Sequence, residues 1–120
     1  MPDKQLRLRV KAREYGEQQL EALGFASRME FELDDGSVVE LVHPWLWSDA
    51  VQVAYDAAQQ DGDEPQTVRT ARAVLGTADH KRFIKGGGKS SQIVLAIEMM
   101  RQRITEADDD AEPDPKDPQS

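Results

Sequence analysis

The 120-residue sequence contains no cysteine, two histidines and only seven aromatic residues. Without cysteine it has no disulfide framework and no thiolate metal site, which fits a reducing cytoplasm. With so few rings and 38% apolar residues, any core must be small and aliphatic. Long hydrophobic runs are missing too. The longest, Ile93–Ile97, falls far short of the roughly 20 residues a membrane span needs, and MPDKQLRLRV has no apolar signal-peptide stretch. The expectation is a chain neither inserted in a membrane nor secreted. His43 and His80 do not stand at a metal-ligating spacing such as HExxH. His43, before a proline at a strand end, reads as structural or exposed, and His80, in a charged helix, as solvated. No EF-hand spacing and no GxSxG elbow occurs. Asp34-Asp35 beside Gly36 is a turn rather than an acid–base pair. Basic residues do not alternate with aromatics as single-strand binding requires. The sequence therefore supplies no nucleophile, metal set or acid–base pair, and the reading is a non-enzyme without cofactors.

One motif invites an enzymatic alternative. Gly88-Lys89-Ser90 resembles the end of a phosphate-binding P-loop, whose backbone N–H groups and lysine wrap phosphates. The pattern needs a glycine five positions before Gly88, where this chain has Phe83. It also needs a preceding buried strand, whereas TADHKRFIK is charged and helix-like. The glycines have a structural use instead. Gly86 suits the left-handed position after one helix, and Ser90 or Ser91 the cap of the next.

The charge is ordered along the chain. Residues 1–13 carry net +4, residues 14–66 net −12, residues 67–105 net +6 and residues 106–120 net −6, giving −8 in all. A net acidic chain is a poor general nucleic-acid binder. The alternating signs favour head-to-tail self-association, the acidic block of one copy facing Lys81, Arg82, Lys85, Arg101 and Arg103 of the next. Such contacts close into rings or run on as filaments, and they weaken above about 0.5 M salt as the Debye length shrinks.

Residues 1–13 read as a basic arm or edge strand. Leu6-Arg7-Leu8-Arg9-Val10 alternates apolar and basic residues at strand period. Ala12–Leu23 reads as a helix with Tyr15, Gln19 or Leu20, and Leu23 on its inner face, capped by Gly24 and weakened by Gly16. The strongest local signal is a hairpin over 28–42. Met29, Phe31 and Leu33 alternate with acids, Asp35-Gly36 makes the turn, and Val38–Val42 returns. His43-Pro44 ends the second strand. Helices are expected over about 48–60 (Ser48 cap; Val51, Ala54, Tyr55 and Ala58 inside), 66–75 (Val68, Ala71 and Leu75 inside), 78–85 (offering Phe83 and Ile84) and 91–105. The fold class is thus α+β and mainly α. A single globular domain, 14–106, packs an N-terminal hairpin, with Leu6–Val10 as candidate third strand, on about four helices. Residues 107–120 are proline-rich, acidic and expected to be disordered. They form either a solubilising tail or an acidic arm over a basic surface.

The final helix carries more apolar surface than one buried side requires. Ile93, Ala96, Ile97, Met100 and Ile104 make one face, and Val94, Leu95 and Met99 spread round the rest. Methionine is adaptable core filler and also suits surfaces that accept variable helical partners. Trp45 and Trp47 either cover the edge of the core or anchor an interface. The candidate partner-binding residues are Trp45, Trp47, Phe83, Val94, Leu95, Met99 and Met100.

The order of parts resembles the tail assembly chaperones of long-tailed, siphovirus-type bacteriophages, particularly those infecting actinobacteria. The resemblance rests on FELDDGSVVEL, the HP that follows, and ARAVLGTADHKRFIKGGGKSSQIVLAIEMM. Within it, Val74-Leu75-Gly76, Arg82-Phe83, Gly86-Gly87, Ser90-Ser91 and Ile93–Met100 match a helix–helix unit followed by an apolar helix and a polar tail. The resemblance covers about residues 29–103. It implies a non-catalytic protein that binds and solubilises the tape measure protein during tail assembly. The major tail tube protein and a longer form made by ribosomal frameshifting are further implied partners. It also implies a place in the cytoplasm of the infected host and absence from the mature virion, while the signed charge blocks are what suggest a homo-oligomer. The alternative is a small acidic binding module or inhibitor acting by charge mimicry.

Overall fold

A computed structural model describes residues 9–111, with side chains placed through Ile104. The elements are α1 (Ala12–Ala22), β1 (Arg28–Glu32), β2 (Val38–Val42), a 3₁₀ turn (Pro44–Leu46), α2 (Asp49–Ala58), α3 (Gln66–Leu75), α4 (Thr77–Lys85) and α5 (Ser90–Ala111). The class is α+β and mainly helical, with one antiparallel hairpin among the described residues. Of the candidate third strand, Leu6–Leu8 lie outside the described residues, while Arg9 and Val10 are exposed and join no strand.

The hairpin forms because its period-2 pattern gives each strand one apolar face. Met29 stands opposite Leu41 and Phe31 opposite Val39, while Glu30 and Glu40 pair on the outer face. The connection is wider than a two-residue turn. The Gly36 N–H donates to the Leu33 carbonyl (2.9 Å), the Leu33 N–H to the Ser37 carbonyl (2.7 Å), and Gly36 takes φ 88°. That is the three-residue loop closed by a left-handed glycine. Asp35 braces it by accepting from the Ser37 hydroxyl (2.6 Å) and the Ser37 N–H (2.9 Å). These bonds, the hydroxyl's first, hold the Asp35 carboxyl below its ordinary range.

A two-stranded hairpin is marginal alone. Here its inner face supplies Leu33, Val39 and Leu41 to a core completed by Ala71 of α3, Phe83 of α4, and Ile93, Ala96, Ile97 and Met100 of α5. The Phe83 ring meets the edge of Phe31 with centroids 5.4 Å apart. The glycine run makes this approach feasible. A methyl on Gly88 would overlap the Phe83 ring, and one on Gly86 would come within 2.8 Å of Leu33 Cβ. The left-handed residue is Gly87 (φ 108°), not Gly86 (φ −87°) as the sequence suggested. Neither expected serine is seen to cap α5. Ser90 is buried against His80, and the Gln92 side chain instead accepts from the Lys89 N–H (2.8 Å). The cap expected of Ser48 is present, its Oγ accepting from the Val51 N–H.

Two helix details differ from expectation. In α1, Leu20 is fully buried, whereas Tyr15 and Leu23 are exposed. The helix turns its Gly16 side to the 3₁₀ turn, where an added Cβ would lie 2.7 Å from Leu46 Cδ2. Gly16 thus trades helix propensity for close approach. At the other end, α5 continues to Ala111 rather than stopping near Thr105, so 107–111, expected in the disordered tail, are helical. No strong breaker intervenes before Pro113, which disfavours helical geometry at the residue preceding it. Residues 112–120 lie outside the described residues.

Two substitutions test this core in urea unfolding monitored by circular dichroism. Gly88→Val should destabilise by about 1–3 kcal/mol through overpacking, and Ile97→Ala by about 2–5 kcal/mol through a cavity. Unchanged stability of Gly88→Val would show that the α4–α5 turn does not seat against Phe83.

Candidate partner-binding surface

The segment after β2 is organised by His43. Continuing the alternation of Val39 and Leu41 turns its side chain inward, where it is 2% exposed. Its N–H donates to the Ser27 carbonyl (2.9 Å), and its Nδ1 accepts from the Trp45 N–H (3.1 Å). The two tryptophans then part company. Trp45 stays half exposed. Trp47 folds inward, donating from Nε1 to the Val42 carbonyl (3.0 Å), with its ring 5.0 Å from Tyr55. The Arg101 guanidinium lies over both rings, 5.5 Å from Trp47 and 5.2 Å from Tyr55. This cation–π stack packs Trp47 within the chain, which corrects its assignment to a partner surface; Arg101, a self-association candidate, stays exposed above the two rings.

The structure sorts the remaining candidates by face. Phe83 (1% exposed) and Met100 (8%) are core residues, a second correction. Phe83 fills the space between hairpin and α5, and Met100 lies one helical turn from Ala96 and Ile97 on the same buried stripe. Val94 is half buried beside a groove lined by Tyr55, Gln66, Thr70 and Ile97. Leu95 and Met99 are 58% and 46% exposed. Four positions apart, they share one face of α5. Other exposed apolar side chains among the described residues are Val10, Tyr15 on α1, Leu23 at its C-cap, Val38 on β2, Val53 on α2 and Ile84 on α4.

Much of the basic block is also spent internally. Arg69 ties the α2–α3 connection, donating to the carbonyls of Glu64 (3.0 Å), Ala58 (2.8 Å) and Gln60. Arg72 grips Glu64 through two bonds of 2.8 and 2.9 Å, which lower the Glu64 pKa and raise that of Arg72. Arg82, a self-association candidate, donates to the Val38 carbonyl (2.9 Å) and pairs with Asp79. Lys81, Lys85 and Arg103 remain exposed.

Both histidines are buried, which corrects the expectation that His80 is solvated and settles His43 as structural. His80 Nε2 lies 2.9 Å from Ser90 Oγ. His43 Nε2 has no hydrogen-bond partner, and His43 borders a pocket of about 170 Å³ with Phe25, Met29 and Met100. The signals were present in the sequence. His43 continues the inward alternation of β2, and His80 stands one helical turn before Phe83. Burial lowers the pKa of each. Repulsion from Arg101 adds to it at His43 and from Arg72 at His80, where Glu64 opposes.

Among the described residues, no helix is long and apolar enough to cross a membrane. Comparison of the chain with protein-family models, curated proteins and solved structures finds no match.

The histidines predict a pH dependence. Each binds a proton less readily folded than unfolded, so the native state takes up fewer protons. Stability is full above the unfolded value of 6.5 and falls as pH drops through the folded values. The melting temperature should therefore decline from about pH 7.5 to pH 5.5, above the range where carboxylates titrate. His80→Gln should flatten the decline. A melting temperature constant over that window would refute the sign.

Proposed function

We propose that this protein is a tail assembly chaperone. It binds the long, mostly helical tape measure protein and keeps it soluble until tail-tube subunits polymerise round it. The observation that carries the reading is the half-used surface of α5. Ile93, Ala96, Ile97 and Met100 are buried, whereas Leu95 and Met99 on the same helix stay exposed. A client-holding protein needs apolar surface that is not consumed by its own core, and flexible side chains that accept varied helical partners. The acidic residues 106–120 supply solubility to such a complex. In this reading the protein acts in the cytoplasm of the infected host without catalysis or cofactor and is absent from the finished virion. The tail tube protein and a frameshifted longer form are its further partners.

Coexpression with a tape measure protein is the direct test. Wild-type chain should bring the client into the soluble fraction. Leu95→Ser with Met99→Ser should lose most of that effect while keeping the melting temperature, since exposed substitutions shift stability by only about 0.5 kcal/mol. A client that stays insoluble beside the wild-type chain would sink the proposal. Tight binding to a basic protein instead would favour the charge-mimicry inhibitor.

A further inference from the structure

The two edges of the hairpin are unequally covered. Backbone bonds from Leu33 to Ser37 and from His43 to Ser27 fix the parity of the ladder. Residues 27, 29, 31 and 33 therefore turn their N–H and C=O groups toward β2, and Arg28, Glu30 and Glu32 turn theirs outward. By the same parity Val38, Glu40 and Val42 face outward on β2. There the Val38 carbonyl is taken by Arg82 and the Val42 carbonyl by Trp47 Nε1. Nothing comparable covers β1. Among the described residues its outward backbone groups have no partner, and β2 is the one element packed extensively along it.

The outer face beside that edge is electrostatically incomplete. Glu30 and Glu40 stand directly opposite each other, an arrangement that destabilises a sheet. Arg28 pairs with Glu40 at 3.1 Å. Glu30 and Glu32 form no salt bridge among the described residues. A free edge flanked by unpaired acids selects a strand with bases on one face and apolar residues on the other.

The chain carries such a segment. We propose that Leu6-Arg7-Leu8-Arg9-Val10 of a second copy adds to the β1 edge as a third, antiparallel strand. With Arg9 opposite Glu30 and Arg7 opposite Glu32, Leu8 falls opposite Phe31 and Val10 opposite Met29, both on the inward-facing side of β1. Five extended residues span about 17 Å, matching the five residues of β1. The source is another copy because the part of the segment that the structure describes, Arg9 and Val10, stays exposed and unpaired with its own β1. Main-chain bonds supply affinity and the two arginines fix the register. Reciprocal exchange between two copies gives a closed dimer. The inference does not depend on the nature of the client.

Charge reversal separates this from every alternative. Sedimentation velocity of the full chain at low salt should show self-association. Both the Arg7→Glu, Arg9→Glu variant and the Glu30→Lys, Glu32→Lys variant should associate about tenfold more weakly or worse, with circular dichroism unchanged. Mixing the two variants should restore association, because each arm then meets an edge of opposite charge. A full chain that stays monomeric, variants that associate like wild type, or a mixture that fails to recover would each overturn the proposal. The last outcome is also what an arm lying on its own β1 edge would give.

Discussion

Phe83 is the contact on which the rest of the fold turns. Its ring meets Phe31 of the hairpin edge-on and covers Gly88, where no side chain fits. That one residue joins the strands to α4 and the start of α5. A hairpin of this length has too little apolar surface to persist alone, and α5 without the hairpin would leave Ile93 and Ile97 in water. The glycine run that superficially suggests phosphate binding is accounted for by this packing. Its small residues let two helices and a strand end meet round one ring.

With the core settled by so few large side chains, the chain has apolar residues to spare. α5 buries one stripe completely and leaves Leu95 and Met99 outside it. A surface of that kind costs solubility, which the acidic composition offsets. The proposed client-holding role uses this division, since the buried stripe fixes the helix in place and the exposed pair remains available.

Electrostatics divides in the same way. The blocks of sign along the chain suggest broad attraction between copies, but several arginines answer local needs first. Arg69 ties a loop, Arg72 holds Glu64, Arg82 covers an edge carbonyl and Arg101 covers two rings. Among the described residues, what remains without a salt bridge is more specific than a net charge: two glutamates beside an open strand edge. An acidic edge and a basic arm of matching length and alternation are a more restrictive basis for self-recognition than opposite blocks.

Local periodicity determined the hairpin and the positions of its helices, because alternation and 3.6-residue spacing are properties of neighbouring residues. It also placed Ala71, Ile93 and Ile97 inside. It failed where the decision belonged to residues distant in sequence. Tyr15 and Leu23 look like an inner face until Gly16 is seen against Leu46, and Phe83 and Met100 look available until the hairpin covers them. Arg101 is an exposed charge that α5 also lays over Trp47 and Tyr55. Sequence shows how much apolar and charged surface each element carries, but which face is covered depends on how the elements cross, and that is fixed only when the whole core packs.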